Sequence, residues 1–357
     1  MENNKYKEQL NELLQTVIDE NGSDLHISAG HFPIIRINGK LISLTEKKMV
    51  TSHDAREIAM EMMNRDQKEK FLSNYELDFS YHYKNIARFR VNIFFQQGEI
   101  SCAMRLIPIK IKTLEEINMP PAIYDFCNSS QGFVIITGPT GHGKSTTLAA
   151  LIDKINQERF DHIITIEDPI EYVFEEARSL IDQREIHRDT LSFPRALKSV
   201  FRQDPDVIMV GEMRDPVTIS TAITAAETGH LVFSTLHTNS ASQTIHRIID
   251  SFPSEQQNQV RAQLSSSLLG IVSQRLIPGI EKGIVPACEI MIRNHAVANL
   301  IRENKIHEID LIIETSFEQG MVSLNRSLVE LVKNNLITKK NALNYALNPV
   351  ELRRMLG

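Results

Sequence analysis

The chain has no tryptophan, and aromatic residues make up only 6% of it. Proteins that grip single-stranded nucleic acid stack bases on aromatic rings along a basic channel. With a net charge of −6, the surface does not advertise a polyanion partner. A DNA translocase is disfavoured on both counts, and nucleic acid is not an expected partner. Cysteine is scarce too. Cys102, Cys127 and Cys288 are far apart and odd in number, which suits neither a disulfide framework nor a four-cysteine zinc site. No zinc is expected, and the cytosol is the expected compartment. No apolar run approaches the roughly 18 residues that span a bilayer. The polar start, MENNKYKEQL, lacks the apolar centre of a secretory signal.

What is present suits a soluble protein of about two domains: 357 residues, 42% of them hydrophobic and 24% charged. Tyr6, Leu10, Leu13, Leu14, Val17 and Ile18 recur at helical spacing. DLHISAG and PIIRINGKLISL read as strands, the second turning at Asn38-Gly39. Residues 51–73 read as one helix, ELDFSYHY as an alternating strand, and ARFRVNIFFQQGEISCAMRLIP as a hairpin. Residues 1–110 are therefore expected to form a small α+β domain. A linker follows over 111–122, broken at Pro120-Pro121. Within 123–357 the apolar runs FVIIT, HIITIED, DVIMVGE and HLVFSTLH alternate with helical stretches, the pattern of a buried parallel sheet. From about 255 onward the pattern reads as helical, with Leu264, Leu268, Ile271 and Val272 on one face.

GPTGHGKST satisfies G-x-x-x-x-G-K-[ST] from Gly138 to Ser145, after a strand and before a helix. Glycines at 138, 141 and 143 let backbone N–H groups converge on phosphate oxygens, with Pro139, Thr140, His142 and Thr146 completing the loop. Lys144 is expected to reach the β and γ phosphates, and Ser145 to hold Mg²⁺. His142 only has to leave the backbone free, so its side chain is expected to point outward.

Ligands of open α/β sheets sit at the carboxyl ends of strands. DVIMVGE ends in Glu212, placed to order the Mg²⁺ water shell or to orient an attacking water; Gly211 stands where many such enzymes carry aspartate. TIEDPIE ends the second strand with Glu167, a candidate for polarising that water. Asp168, before Pro169, reads equally as a turn former, and Glu171 fits either role. HLVFSTLH ends at His237, which can donate to the γ phosphate. His230 opens the same strand and reads as structural.

GPTGHGKST, TIEDPIEY, RQDPDVIMVGEMRDP and STLHTNSA, in this order and spacing, resemble the secretion and type IV pilus hexameric ATPases: their phosphate loop, acidic box, Walker B and histidine box. SDLHISAG, RFRVN and NLIRE extend the likeness to the retraction motors of that family, over about residues 5–345. The resemblance implies an α/β fold, a RecA-like P-loop NTPase core behind a PAS-like α+β domain. It implies a cytoplasmic homohexamer at the inner membrane, partnered by the pilus platform protein and using ATP and Mg²⁺ to retract pili. It assigns phosphate and Mg²⁺ to Lys144 and Ser145, and catalysis to Glu212, Glu167 and His237. Two departures stand out: His142 replaces the usual serine, and Ala298 stands where an arginine is common.

The hairpin around Gln97-Gly98 can be read without the family. A two-residue turn there puts Arg90 and Arg105 directly opposite on one face, and opposed like charges destabilise unless an anion lies between them. A neighbouring subunit's nucleotide is expected to supply the anion, which makes both arginines candidate catalytic groups in trans. Solvated surface arginines are the alternative, and Arg88 is a weaker candidate on that face. The rivals to a retraction motor are an assembly or type II secretion ATPase, an accessory retraction ATPase, and a nucleotide-binding regulator without turnover.

Overall fold

The computed structural model describes residues 2–37, 39–84, 86–107, 110–281 and 283–357. The chain divides into two units, Met1–Lys110 with Pro169–Val173, and Ile111–Asp168 with Phe174–Gly357.

The first unit runs α1 (Glu2–Asp19), β1 (Asp24–Ser28), β2 (Ile34–Ile37), β3 (Lys40–Ser43), α2 (Ser52–Met62), α3 (Arg65–Asn74), β4 (Glu76–Tyr83), β5 (Ala87–Gln96) and β6 (Glu99–Ile107). Its sheet has the order β3-β2-β1-β6-β5-β4 with every pairing antiparallel. Alternation along the strands sends Leu25, Ile27, Phe89, Val91 and Ile93 into one core with Leu10, Leu13, Leu14 and Val17 of α1. Gln96 pairs with Glu99, so Gln97 and Gly98 are the whole turn, at φ 51° and 81°. Positive φ at both central residues matches the strand twist of a type I′ hairpin. Asn38 lies outside the described residues; beside it, Ile37 pairs with Lys40. The helix expected over 51–73 is two helices, α2 and α3. Asn64 ends the first run because its side chain and that of Gln67 exchange hydrogen bonds with each other's backbone N–H, both at 2.9 Å. This capping box starts a new helix where the periodicity alone would run on.

The second unit runs β7 (Gly132–Thr137), α4 (Lys144–Glu158), β8 (His162–Glu167), β9 (Leu180–Glu185), α5 (Phe193–Val200), β10 (Val207–Val210), α6 (Pro216–Glu227), β11 (Leu231–Leu236), α7 (Ala241–Asp250), α8 (Ser254–Ser267), β12 (Leu268–Pro278), β13 (Ile284–Ile292), α9 (His295–Arg302), α10 (Ile309–Thr315), α11 (Leu324–Lys333), α12 (Lys339–Tyr345) and α13 (Pro349–Leu356). The sheet order is β13-β12-β7-β11-β10-β8-β9. All neighbours are parallel except β12 and β13, which form an antiparallel edge. The mainly apolar strands β7, β8, β10 and β11 are buried on both faces, as a parallel sheet requires.

The helical pattern expected after 255 needs correction. Leu264 belongs to α8, but Leu268, Ile271 and Val272 lie on β12. Pairing with β7 on one side and β13 on the other outweighs the helix propensity of the leucines. Gly270 marks the close approach: a Cβ there would stand 2.4 Å from Phe126 Cζ and 2.7 Å from the Met291 carbonyl oxygen. Cys102, Cys127 and Cys288 are all buried and free. Burial pushes each thiol up to about 12. Among the described residues, no helix is long and apolar enough to cross a membrane.

Candidate functional site

β7 delivers the chain to Gly138, and α4 begins at Lys144, so the glycine loop links a buried strand to a helix N-terminus. Gly138 has φ 146°, and a Cβ there would lie 2.3 Å from the Gln274 carbonyl oxygen. Only glycine tolerates both the dihedral and the contact. Gly141 and Gly143 also have positive φ, at 80° and 77°. Lys144 is buried, and its Nζ donates to the carbonyl oxygens of Gly138 (2.9 Å) and Pro139 (3.0 Å). The loop thus curls around its own lysine. Ser145 and Thr146 fall on the first turn of α4, where Thr146 is partly exposed and Ser145 lies beside the buried Lys144.

His142 does not simply project into solvent. Its Nδ1 accepts from the Leu276 backbone N–H at 2.9 Å, and its carbonyl oxygen accepts from Gln274 Nε2 at 2.9 Å. The ring, expected to point outward, is instead held against β12.

Because β8, β10 and β11 are parallel neighbours, their carboxyl ends share one edge with the loop. Glu212, just after β10, is paired through Oε1 with Arg214 Nη2 at 2.6 Å. Its Oε2 lies 3.5 Å from His237 Nε2. His237 Nδ1 in turn lies 3.3 Å from Lys144 Nζ and 3.4 Å from Thr140 Oγ1. An imidazole protonated at Nε2 satisfies both sides, accepting from the lysine and donating toward the carboxylate. Lys144, His237 and Glu212 thus form one continuous line from the loop to the third strand end. Glu167 sits at the end of β8, buried, accepting from Thr165 Oγ1 (2.7 Å) and Gln183 Nε2 (3.2 Å). It is beside Gly211, where an added Cβ would stand 3.5 Å from Glu167 Cα. Asp168 is exposed, and Glu171 falls in the segment grouped with the first unit. His230 Nδ1 lies 3.0 Å from the Ala225 carbonyl oxygen at the opposite end of β11, in the structural role expected of it.

In the first unit the register places Arg90 directly opposite Arg105. The premise that only an outside anion could lie near this pair needs correction. Asp24 of β1 faces Arg105 across the sheet and binds its Nε at 2.9 Å; Arg36 Nε also lies 3.5 Å from Asp24. Burial opposes ionisation of Asp24, but hydrogen bonds from Ser23 and Arg105 and the charges of both arginines hold its carboxyl below the usual range. Arg90 and Arg105 are exposed, whereas Arg88 is buried.

Arg214, Asp24 and Gln274, which contact the candidate residues Glu212, Arg105 and His142, are not found by sequence reasoning. Gln274 is hidden by the helical reading of its strand. The mid-run glycine and terminal proline of LLGIVSQRLIP are the signals that mark a buried strand there.

The model of the family described as "Type II/IV secretion system protein" matches residues 2–341. The chain is 46% identical over 344 residues to the type IV pilus retraction ATPase PilT of Pseudomonas aeruginosa, covering 95% of this chain and 98% of that one. It is 46% identical over 317 residues to the twitching motility protein of Neisseria gonorrhoeae, covering 88% and 84%. Among solved structures, the pilus retraction motor PilT with bound ADP superposes with a TM-score of 0.90 at 45% identity, over 97% of this chain and 99% of that one. By fold, by motif order and by identity along nearly its whole length, this chain belongs to the type II/IV secretion system ATPases.

Proposed function

We propose that this chain is an ATPase that drives type IV pilus retraction, and hence twitching motility, as a cytoplasmic homohexamer docked on the inner-membrane pilus platform. The observation that carries it is the line Lys144–His237–Glu212 at the mouth of the glycine loop, in a chain that covers 98% of a named retraction ATPase.

The residues fit a nucleoside triphosphate. Three glycines keep the loop concave, and an added Cβ at Gly138 would collide with β12. Lys144 and the loop N–H groups of residues 140–146 would hold the β and γ phosphates, and the Ser145 hydroxyl the magnesium ion. Glu212 would complete the magnesium shell through water. When bound, Mg-ATP supplies the phosphoryl group whose transfer to water releases the energy.

The chain's own residues do the rest. Glu212 and Glu167 are the carboxylates that orient and polarise water at adjacent strand ends. His237 links the loop lysine to Glu212, so a displacement at one end reaches the other. Arg90 and Arg105 are proposed to act on a neighbouring subunit's nucleotide, with Asp24 fixing the Arg105 side chain. The segment 111–122 is the proposed hinge between the units.

Deleting the gene tests the biological reading. Hyperpiliated cells that no longer twitch are the expected outcome, and bald cells would assign the chain to pilus assembly instead.

A further inference from the structure

β7 ends at Thr137, whose partner on β12 is Ser273. Beyond that pair β12 continues past the end of β7, and the phosphate loop takes the strand's place. The Gln274 carbonyl oxygen abuts Gly138. Gln274 Nε2 donates to the His142 carbonyl oxygen at 2.9 Å, while its Oε1 accepts from Thr147 Oγ1 of α4 at 2.7 Å. The next outward N–H, that of Leu276, donates to His142 Nδ1 at 2.9 Å. Gln274 is only 2% exposed, so both of its amide bonds are made away from bulk water.

We infer that His142 and Gln274 are positioning residues that fasten the phosphate loop to β12, and that the histidine bond holds only while Nδ1 is unprotonated, so that nucleotide affinity weakens in acid. The inference rests on the nucleotide-binding reading of this site. An imidazolium carries a proton on Nδ1 and would set a donor against the Leu276 N–H. The groups facing the ring are Arg275 on β12, Lys144 on α4 and, 6.5 Å away between centroids, the Tyr345 ring on α12. Burial first, then the charges of Arg275 and Lys144, lower the His142 pKa. The ring is therefore neutral at neutral pH with the bond intact, and the bond is lost as pH falls through that lowered value. Gln274 does not titrate and keeps its part of the attachment throughout.

The test is titration of the full-length protein with a fluorescent ADP analogue between pH 5 and 8, with thermal unfolding recorded for each variant. Wild type should bind with full affinity at neutral pH and above, and several-fold more weakly once the pH has fallen through the lowered His142 value. His142→Ala should bind about five- to tenfold more weakly at pH 7.5, the effect of one lost hydrogen bond. It should also show a flatter pH profile. His142→Asn places an amide oxygen near the Nδ1 position without a titrating group, and should restore affinity relative to alanine while staying flat in pH. Alanine binding as tightly as wild type at pH 7.5, or an acid loss of wild-type size in the asparagine variant, would overturn the inference. Asparagine and wild type are compared directly, so the test stands even where the alanine variant does not fold. No ADP binding by wild type at any pH would instead remove the nucleotide-binding reading itself, and this inference with it.

Discussion

The two sheets place their candidate residues in different ways. In the first unit Arg90 and Arg105 stand on a strand face, brought together because an antiparallel hairpin sets residue against residue. In the second unit Lys144, Glu167, Glu212 and His237 stand at the carboxyl edge of parallel strands, brought together because every strand ends on the same side. A face displays charge outward to something else, whereas an edge concentrates groups from distant parts of the chain into one spot. Under the proposed function, the difference gives the chemistry to the second unit and a presenting role to the first.

The strongest way to break that division is at the edge. Lys144→Ala removes the cation joined to two loop carbonyls and His237. Steady-state phosphate release should fall about 100-fold or more, and turnover near the wild-type rate would dissolve the assignment. Next comes the face. Arg90→Ala combined with Arg105→Ala should lower turnover about tenfold or more, on the scale of arginines acting in trans. ADP binding should stay close to wild type, while the unfolding midpoint should drop slightly because Asp24 loses its Arg105 partner. Unchanged turnover would reduce the hairpin to a solvated surface.

The smallest expected effect lies behind the edge. Glu289 on β13 is 7% exposed and accepts from the Ala241 N–H at the start of α7, the helix that follows His237. Burial pushes its carboxyl up to about 7, from a reference near 4.5. A group raised in the folded state stabilises fully below the unfolded value, and that contribution is lost as pH rises through the folded one. The second unit should therefore lose stability from about pH 5 to pH 8. Glu289→Gln, which keeps an accepting oxygen, should flatten that fall and raise the midpoint at pH 8 by a few degrees. A midpoint that depends on pH just as in wild type would locate the titration elsewhere.

Legibility in the sequence follows the same contrast. The hairpin at Gln97-Gly98 and the opposition of its arginines can be read directly, since both strands lie within a few residues of the turn. The parallel strands and their terminal Glu167, Glu212 and His237 can be read from apolar runs ending in polar residues. The edge formed by β12 and β13 cannot. Its register depends on β7, more than 130 residues earlier in the chain, and its leucines fit a helix as well as a strand. With that strand goes Gln274, and with Gln274 the attachment of His142. Asp24 is hidden for a related reason: β1 meets β6 across about 80 residues of sequence.

The sulfur chemistry of the chain has a practical corollary. All three thiols are enclosed, and their protonated form is strongly favoured at working pH. One cysteine introduced at an exposed position, such as the tip at Gln97, would outcompete them for a maleimide dye. Reporter molecules for following movement of that hairpin could thus be attached without first stripping the native sulfur atoms from the protein.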